Sequence, residues 1–168
     1  LIRAHTSVAL SEYSTKDASN PDTKSIQAAA RYLDVETNKT TKLFTMLAGT
    51  NNLYLLSFKD GAFVRHELST KIPTRANSVQ NRRGDIFVVG GVAFDKATGQ
   101  PSLTALRDCL RIDADLEVSR QTPMQMARFD SPLAFVYDRY ILAFGGKTSK
   151  QHGTKRCEVY DTKADNWH

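Results

Sequence analysis

The sequence has few of the features that anchor a chain in a membrane or cross-link it. Its 168 residues include two cysteines and one tryptophan, and no run reaches the roughly 18 apolar residues of a membrane-spanning helix. The amino end also lacks the basic, apolar and small-residue order of a signal peptide. Two cysteines suit a reducing compartment, where we expect small buried thiols rather than a disulfide. We therefore expect no membrane span and a cytoplasmic or cytoskeletal location.

Catalytic and metal-binding patterns are also missing from the sequence. The four histidines have no ligand spacing with one another or with the cysteines, which disfavours zinc. No Gly-x-Ser-x-Gly motif occurs, and no segment combines a nucleophile, a base and an orienting acid. Gly146-Lys147-Thr148 spells the end of a phosphate-binding loop, but Ile141 stands where that motif requires its first glycine. We predict no enzyme activity, no small-molecule substrate and no cofactor.

The composition is that of a globular domain, with 40% hydrophobic and 24% charged residues and a net charge of +5. The cations are spread over many segments instead of forming one block. Such moderate basicity attracts acidic partners in general. Because the cations form no basic stripe, we do not expect nucleic acid as the partner.

A repeated pattern organises the second half of the chain. Ile141–Gly146 is an apolar run that ends in two glycines, and Cys157–Asp161 and Trp167 follow it. An earlier copy consists of Ile86–Gly91 and Cys109–Asp113. The diglycines lie 55 residues apart (145 − 90) and the Cys-x-x-x-Asp segments 48 apart (157 − 109). Each copy predicts a fully buried strand, a backbone bend at the glycines and a further strand.

A period of about 50 residues with these features resembles the kelch repeat, in which each copy is one blade of a β-propeller. The resemblance implies four-stranded antiparallel blades packed face to face, with Tyr160 and Trp167 between blades. Ile112 and Ser119 stand at or near the equivalent positions of the earlier copy, which is therefore degenerate. We predict an all-β fold, a fragment of a kelch-type β-propeller.

The predicted organisation has three parts. Residues 1–72 hold one or more degenerate blades of uncertain register, residues 73–122 one kelch-like blade, and residues 123–168 another that is truncated at its last strand. Because the chain begins with Leu1 and stops inside a repeat, we expect a piece of a longer protein. The strands predicted for the two clear blades are 77–80, 85–89, 109–113 and 117–122, then 131–137, 140–144 and 156–161.

The first part is harder to interpret. Residues 2–12 and 26–34 each predict a strand, although a helix is defensible at 26–32, and residues 13–25 predict an exposed loop. Residues 33–40 align with 160–167. Residues 53–68 predict a hairpin with an Asp60-Gly61 turn. The 79 residues from Asp34 to Asp113 (113 − 34) fit neither one period nor two, so a truncated blade and missing residues both stay open.

The loops carry the candidate site. In an up-and-down blade, alternate connections emerge on the same side, so loops 92–107 and 147–155 should share a face with 70–75 and 123–130. Arginine and aromatic side chains are favoured at interface hot spots. The resemblance implies protein binding through such loops, and it also implies a structural role for Arg128 as an alternative. The partner-binding candidates are Arg75, Lys96, Arg107, Arg128, Phe129, Lys147, Lys150, His152 and Lys155, with Phe94 as a second aromatic.

These patterns predict a non-enzymatic protein–protein interaction module within a larger kelch-type propeller. The alternative is a structural component of a cytoskeletal or other large assembly, with permanent contacts. A third class, oxidases built on kelch-like blades, needs copper ligands that the sequence does not offer. About three blades do not close a ring, since propellers use roughly four to eight. Further chain or another protein should therefore cover the open blades.

Overall fold

The computed structural model describes residues 44–56, 61–95, 98, 101–149 and 152–168. These residues form thirteen β-strands and no helix. The strands are β1 (Phe44–Met46), β2 (Asn52–Leu56), β3 (Phe63–Glu67), β4 (Asn77–Gln80), β5 (Ile86–Val89), β6 (Val92–Phe94), β7 (Pro101–Ala105), β8 (Cys109–Ile112), β9 (Val118–Gln121), β10 (Leu133–Val136), β11 (Tyr140–Phe144), β12 (Cys157–Asp161) and β13 (Asn166–Trp167).

The strands form successive antiparallel sheets, which confirms the all-β prediction. The first sheet has the order β1-β2-β3, the second β4-β5-β8-β9 and the third β10-β11-β12-β13, while β6 and β7 form a separate pair. The predicted hairpin is present, with Leu56 opposite Phe63. The last sheet ends in a two-residue fourth strand, in which Trp167 pairs with Tyr160. The strands predicted at 2–12 and 26–34 lie outside the described residues.

The second and third sheets repeat one register. Val89 lies opposite Cys109 in the second sheet, and Phe144 lies opposite Cys157 in the third. Their cysteines, diglycines and apolar runs are therefore structurally equivalent.

Strand β5 is buried on both faces, as its continuous apolar run predicted. Successive side chains of a strand point to opposite faces, so Ile86 and Val88 pack toward the first sheet and Phe87 and Val89 toward the third. All four are at most 3% exposed. Strand β11 differs, because Ile141 and Ala143 are buried while Phe144 is 39% exposed. Among the described residues, no further sheet covers the second face of β11.

A cavity of about 400 Å³ lies between β1 and β4, lined by Phe44, Met46, Asn77, Ser78 and others. The turn after β1 is held to the following linker by a 2.8 Å hydrogen bond from Gly49 N to Ile72 O. In the second sheet the turn after β5 is held to its linker in the same way, so β1 corresponds to β5. The described strands β1, β2 and β3 thus match β5, β8 and β9 of the second sheet, and we assign the cavity no ligand.

The predicted role of the diglycines is confirmed by their backbone. Gly90, Gly91, Gly145 and Gly146 have φ values of 70°, 103°, 52° and 89°, in the left-handed region that favours glycine. A Cβ atom on Gly146 would lie 2.9 Å from both the Phe129 carbonyl oxygen and the Ser131 Cβ. Glycine here lets β11 turn sharply against the preceding linker.

We expect Gly146→Ala to lower the free energy of unfolding of the complete protein by about 1–3 kcal/mol, because the new methyl group combines a disfavoured φ with a clash against backbone. Gly153→Ala is the matched control, since its Cβ would approach nothing closer than the Gly146 carbonyl oxygen at 3.4 Å. Urea unfolding measures both variants. Equal stabilities for the two would contradict the assignment.

Candidate functional site

The loops at one end of the sheets are joined by main-chain hydrogen bonds. Gly91 N donates to Arg128 O at 3.0 Å, and Phe129 and Lys147 exchange bonds of 2.9 and 2.8 Å. Met124 N donates to Arg107 O at 2.8 Å. The connections within blades therefore meet the linkers between blades, as the up-and-down arrangement predicted. We call this end, formed by the described residues 47–51, 68–76, 90–95, 98, 101–108, 122–132, 145–149 and 152–156, the loop face.

Arg128 does not lie on the surface of the loop face, contrary to the prediction that it contacts a partner. Its side chain is 0% exposed. Nη1 donates to the carbonyl oxygens of Gly145 at 2.8 Å and Arg156 at 2.7 Å, and Nη2 pairs with Glu158. An arginine so enclosed offers no donor to a partner. The geometry supports the structural alternative for this residue.

Glu158 completes the network around Arg128. Its carboxylate is 6% exposed and accepts hydrogen bonds from Gln125 N at 2.6 Å and Met126 N at 3.2 Å. Buried charges are tolerated when they are paired and hydrogen-bonded in this way. The carboxylate thus fixes the linker between the second and third sheets onto β12.

Phe129 is also buried, at 1% exposure, so it cannot serve as the aromatic anchor that we predicted. The Arg75 guanidinium lies 4.3 Å from the centre of its ring and also pairs with Asp130. The hydrogen bond from Arg75 to Asp130 raises the pKa of the guanidinium. Arg75 and Asp130 follow equivalent bridge residues, and both have left-handed φ values, 59° and 52°. Arg75 keeps 38% of its side chain exposed.

The other described candidates do lie at the surface. Arg107, Lys147, His152 and Lys155 are exposed, whereas Lys96 and Lys150 lie outside the described residues. His152 Nδ1 is 3.1 Å from Ser149 Oγ. Phe94 is half-buried, and a Cβ on Gly49 would lie 3.4 Å from its ring. That ring therefore covers the first turn of the loop face.

Sequence reasoning missed Arg156, which is exposed one residue before β12. Its carbonyl accepts from Gly145 N at 3.0 Å as well as from Arg128, so its backbone is fixed. The position of Arg156 directly before the repeated Cys-x-x-x-Asp pattern was visible in the sequence, but nothing distinguished this arginine from any other loop cation.

The charges of the loop face are unbalanced. The carboxylates of Asp108 and Asp130, and that of Glu158 on the adjoining strand β12, each form an ion pair with an arginine. Among the described residues, five exposed cations of this face form no ion pair, namely Lys71, Arg107, Lys147, Lys155 and Arg156. The ion pairs of the described residues therefore leave part of the positive charge of the loop face unpaired.

The opposite end, which we call the turn end, comprises residues 81–85, 137–139 and 161–163. Its buried carboxylates are paired: Asp85 with Arg111 at 3.1 Å, and Asp161 with Arg139. The hydrogen bond from Arg139 holds the pKa of the Asp161 carboxyl well below its usual range.

The two cysteines differ in environment, although we predicted that both are buried. Cys109 is 1% exposed, and burial raises the pKa of its thiol to about 12. Cys157 is exposed because it lies on the uncovered face of the third sheet, and both thiols are free. Within the described part of the chain, no group of three or more His, Cys, Asp or Glu residues could hold a metal ion. No helix there is long and apolar enough to cross a membrane.

That uncovered face repeats one that is covered elsewhere. In the second sheet the equivalent residues pack beneath the third sheet and are 1–3% exposed: Phe87, Val89 and Cys109. Their counterparts in the third sheet are Leu142, Phe144 and Cys157. The same apolar pattern thus occurs on a face that nothing in the described chain covers.

Known structures resemble this arrangement. YjhT, which has a kelch-type fold, aligns with a TM-score of 0.55 and 11% identity over 70% of this chain and 37% of its own. A fungal alcohol oxidase of the AA5 family, solved in complex with copper, aligns with a TM-score of 0.57 and 13% identity over 77% of this chain and 29% of its own.

These likenesses show a β-propeller-like fold, of which this chain spans about a third of the length of each neighbour. At such low identity they carry no activity over to this chain. No protein-family model and no curated protein matches the sequence.

Proposed function

We propose that the chain is part of a larger kelch-type propeller that serves as a non-enzymatic protein-interaction module, with the loop face as its binding surface. The observation that carries this proposal is the set of exposed cations without ion pairs on loops whose backbones are fixed. Arg107 and Lys147 are each bonded through the main chain to the 124–129 linker. Fixed loops lose little conformational entropy on binding, which favours recognition.

The repeated apolar face supports the part of the proposal that concerns a larger propeller. Phe144 occupies the position of Val89, yet it is 39% exposed where Val89 is 2% exposed. A further blade that packs on the third sheet as the third packs on the second would bury this face. Burial of large apolar side chains contributes about 1.5–3 kcal/mol each.

Thiol labelling tests this coverage. In the complete native protein we expect Cys157 to react with iodoacetamide as slowly as buried Cys109, because a further blade covers both thiols. Both should react quickly once the protein is unfolded. Peptide mass spectrometry measures each rate separately, and Cys109 is the internal reference. Rapid labelling of Cys157 in the native protein would show a bare face and contradict the larger propeller.

Site-specific photo-crosslinking in the native cell tests the loop face. With benzoylphenylalanine in place of Lys155, we expect a discrete protein adduct whose yield falls severalfold on Lys147→Glu, because charges at an interface rim govern association. Arg65→Glu is the matched control, since Arg65 is exposed on β3, away from these loops. No adduct, or equal sensitivity to both substitutions, would contradict the proposed surface.

The uncovered apolar face also favours the alternative of a structural component of a cytoskeletal or other large assembly. Permanent interfaces are larger and more apolar than those of transient recognition. Crosslinking in a cell extract separates the two. Unlabelled protein added some minutes before irradiation should lower the yield of the adduct with a recognition partner, while the adduct with a permanent neighbour should keep its yield.

A further inference from the structure

Tyr137 occupies an unusual position at the turn end. Its side chain is 90% exposed, and it is followed by Asp138 in the turn between β10 and β11. Arg139 N donates to Val136 O at 3.2 Å, which closes a four-residue turn. Both central residues have left-handed φ values, 54° and 52°, the signature of a type I′ turn.

The conformation of this turn gives no reason for a tyrosine at position 137. Type I′ turns strongly favour Asn-Gly and related pairs, because a bulky side chain is strained at positive φ. An exposed ring gains no burial to offset that strain. Residues held in disfavoured conformations cluster at functional sites. The ring at position 137 is therefore costly to the fold.

A small polar cleft lies next to this turn. It has a volume of about 130 Å³, and its lining includes Arg83, Arg111, Asp138 and Lys163. The Arg111 guanidinium pairs with Asp85, but Arg83 and Lys163 form no ion pair among the described residues. The cleft therefore carries unpaired positive charge, and it adjoins through Asp138 the turn that exposes the Tyr137 ring.

We propose that Tyr137 and this cleft form a second interaction surface, which takes a protein segment that packs an apolar group on the ring and places an acidic side chain in the cleft. Tyrosine with nearby arginine is the composition of interface hot spots. A single exposed ring and two unpaired cations do not form the basic groove and the stacking platform that bind a single-stranded nucleic acid. Protein is the partner that this chemistry fits.

If a further blade packed on the third sheet, the surface at the turn end would still be accessible to a partner. Arg82 and Arg83 lie in the corresponding turn of the second sheet, whose face is already covered by the third. Arg82 N donates to Asp138 of the neighbouring turn at 3.0 Å, yet both arginine side chains remain exposed. This second surface is therefore separate from the loop face, and its accessibility does not depend on whether further blades close the propeller. It goes beyond the function proposed above.

The first test is stability. Tyr137→Asn should raise the melting temperature of the complete protein by about 2–4 °C, because asparagine tolerates the left-handed conformation. Tyr137→Phe should leave it unchanged, since the backbone strain is the same. A lower melting temperature for Tyr137→Asn would show that the ring serves folding, and it would overturn the proposal.

The second test is contact in the native cell, with benzoylphenylalanine in place of Arg82. We expect a discrete protein adduct that is lost with Tyr137→Asn and kept with Tyr137→Phe, which preserves the ring. No adduct, an adduct unaffected by Tyr137→Asn, or one removed by ribonuclease would each overturn the proposal. The crosslinker sits at the turn end, so the outcome is separate from that of the Lys155 experiment on the loop face.

Discussion

The arrangement of the sheets depends on one buried arginine. Arg128 lies in the linker between the second and third sheets, and its groups reach both diglycines. Its main-chain oxygen accepts from Gly91 N, while its side chain donates to Gly145 O and pairs with Glu158. In a low-dielectric interior such a pair is stable only when all its partners are in place. The position of the linker, the direction of β10 and the packing of the third sheet on the second therefore follow from this contact.

The glycines are the steric counterpart of the same contact. A Cβ atom on Gly90 would collide with the Arg128 carbonyl oxygen, and one on Gly146 would collide with that of Phe129. The linker can approach the ends of β5 and β11 only because each strand is followed by glycines, which have no side chain. Once it is in place, its main chain fixes the loops that carry Arg107 and Lys147, so the same constraint that joins the sheets also presents the cations of the loop face.

The sequence predicted much of this fold because its strongest signals are local. The apolar run Ile86–Val89 indicated a strand buried on both faces, and the diglycines indicated close backbone approach. It could not predict what depends on tertiary contacts. Loop position suggested that Arg128 and Phe129 were accessible, yet both are enclosed, and loop 92–107 contains the β6–β7 pair. The strands predicted at 131–137 and 140–144 placed a turn between them, but its type I′ conformation was not predictable, because Tyr137-Asp138 lacks the glycine or asparagine that marks such a turn.

A double-mutant cycle on Arg128 and Glu158, followed by urea unfolding of the complete protein, tests the central claim most directly. Arg128→Met leaves a buried carboxylate unpaired and Glu158→Gln leaves a buried guanidinium unpaired, so each should cost about 3–5 kcal/mol. The double variant leaves neither charge, and its cost should fall short of the sum by about 1–3 kcal/mol. Costs that add to within about 0.5 kcal/mol would show that the two side chains act independently and would contradict the account.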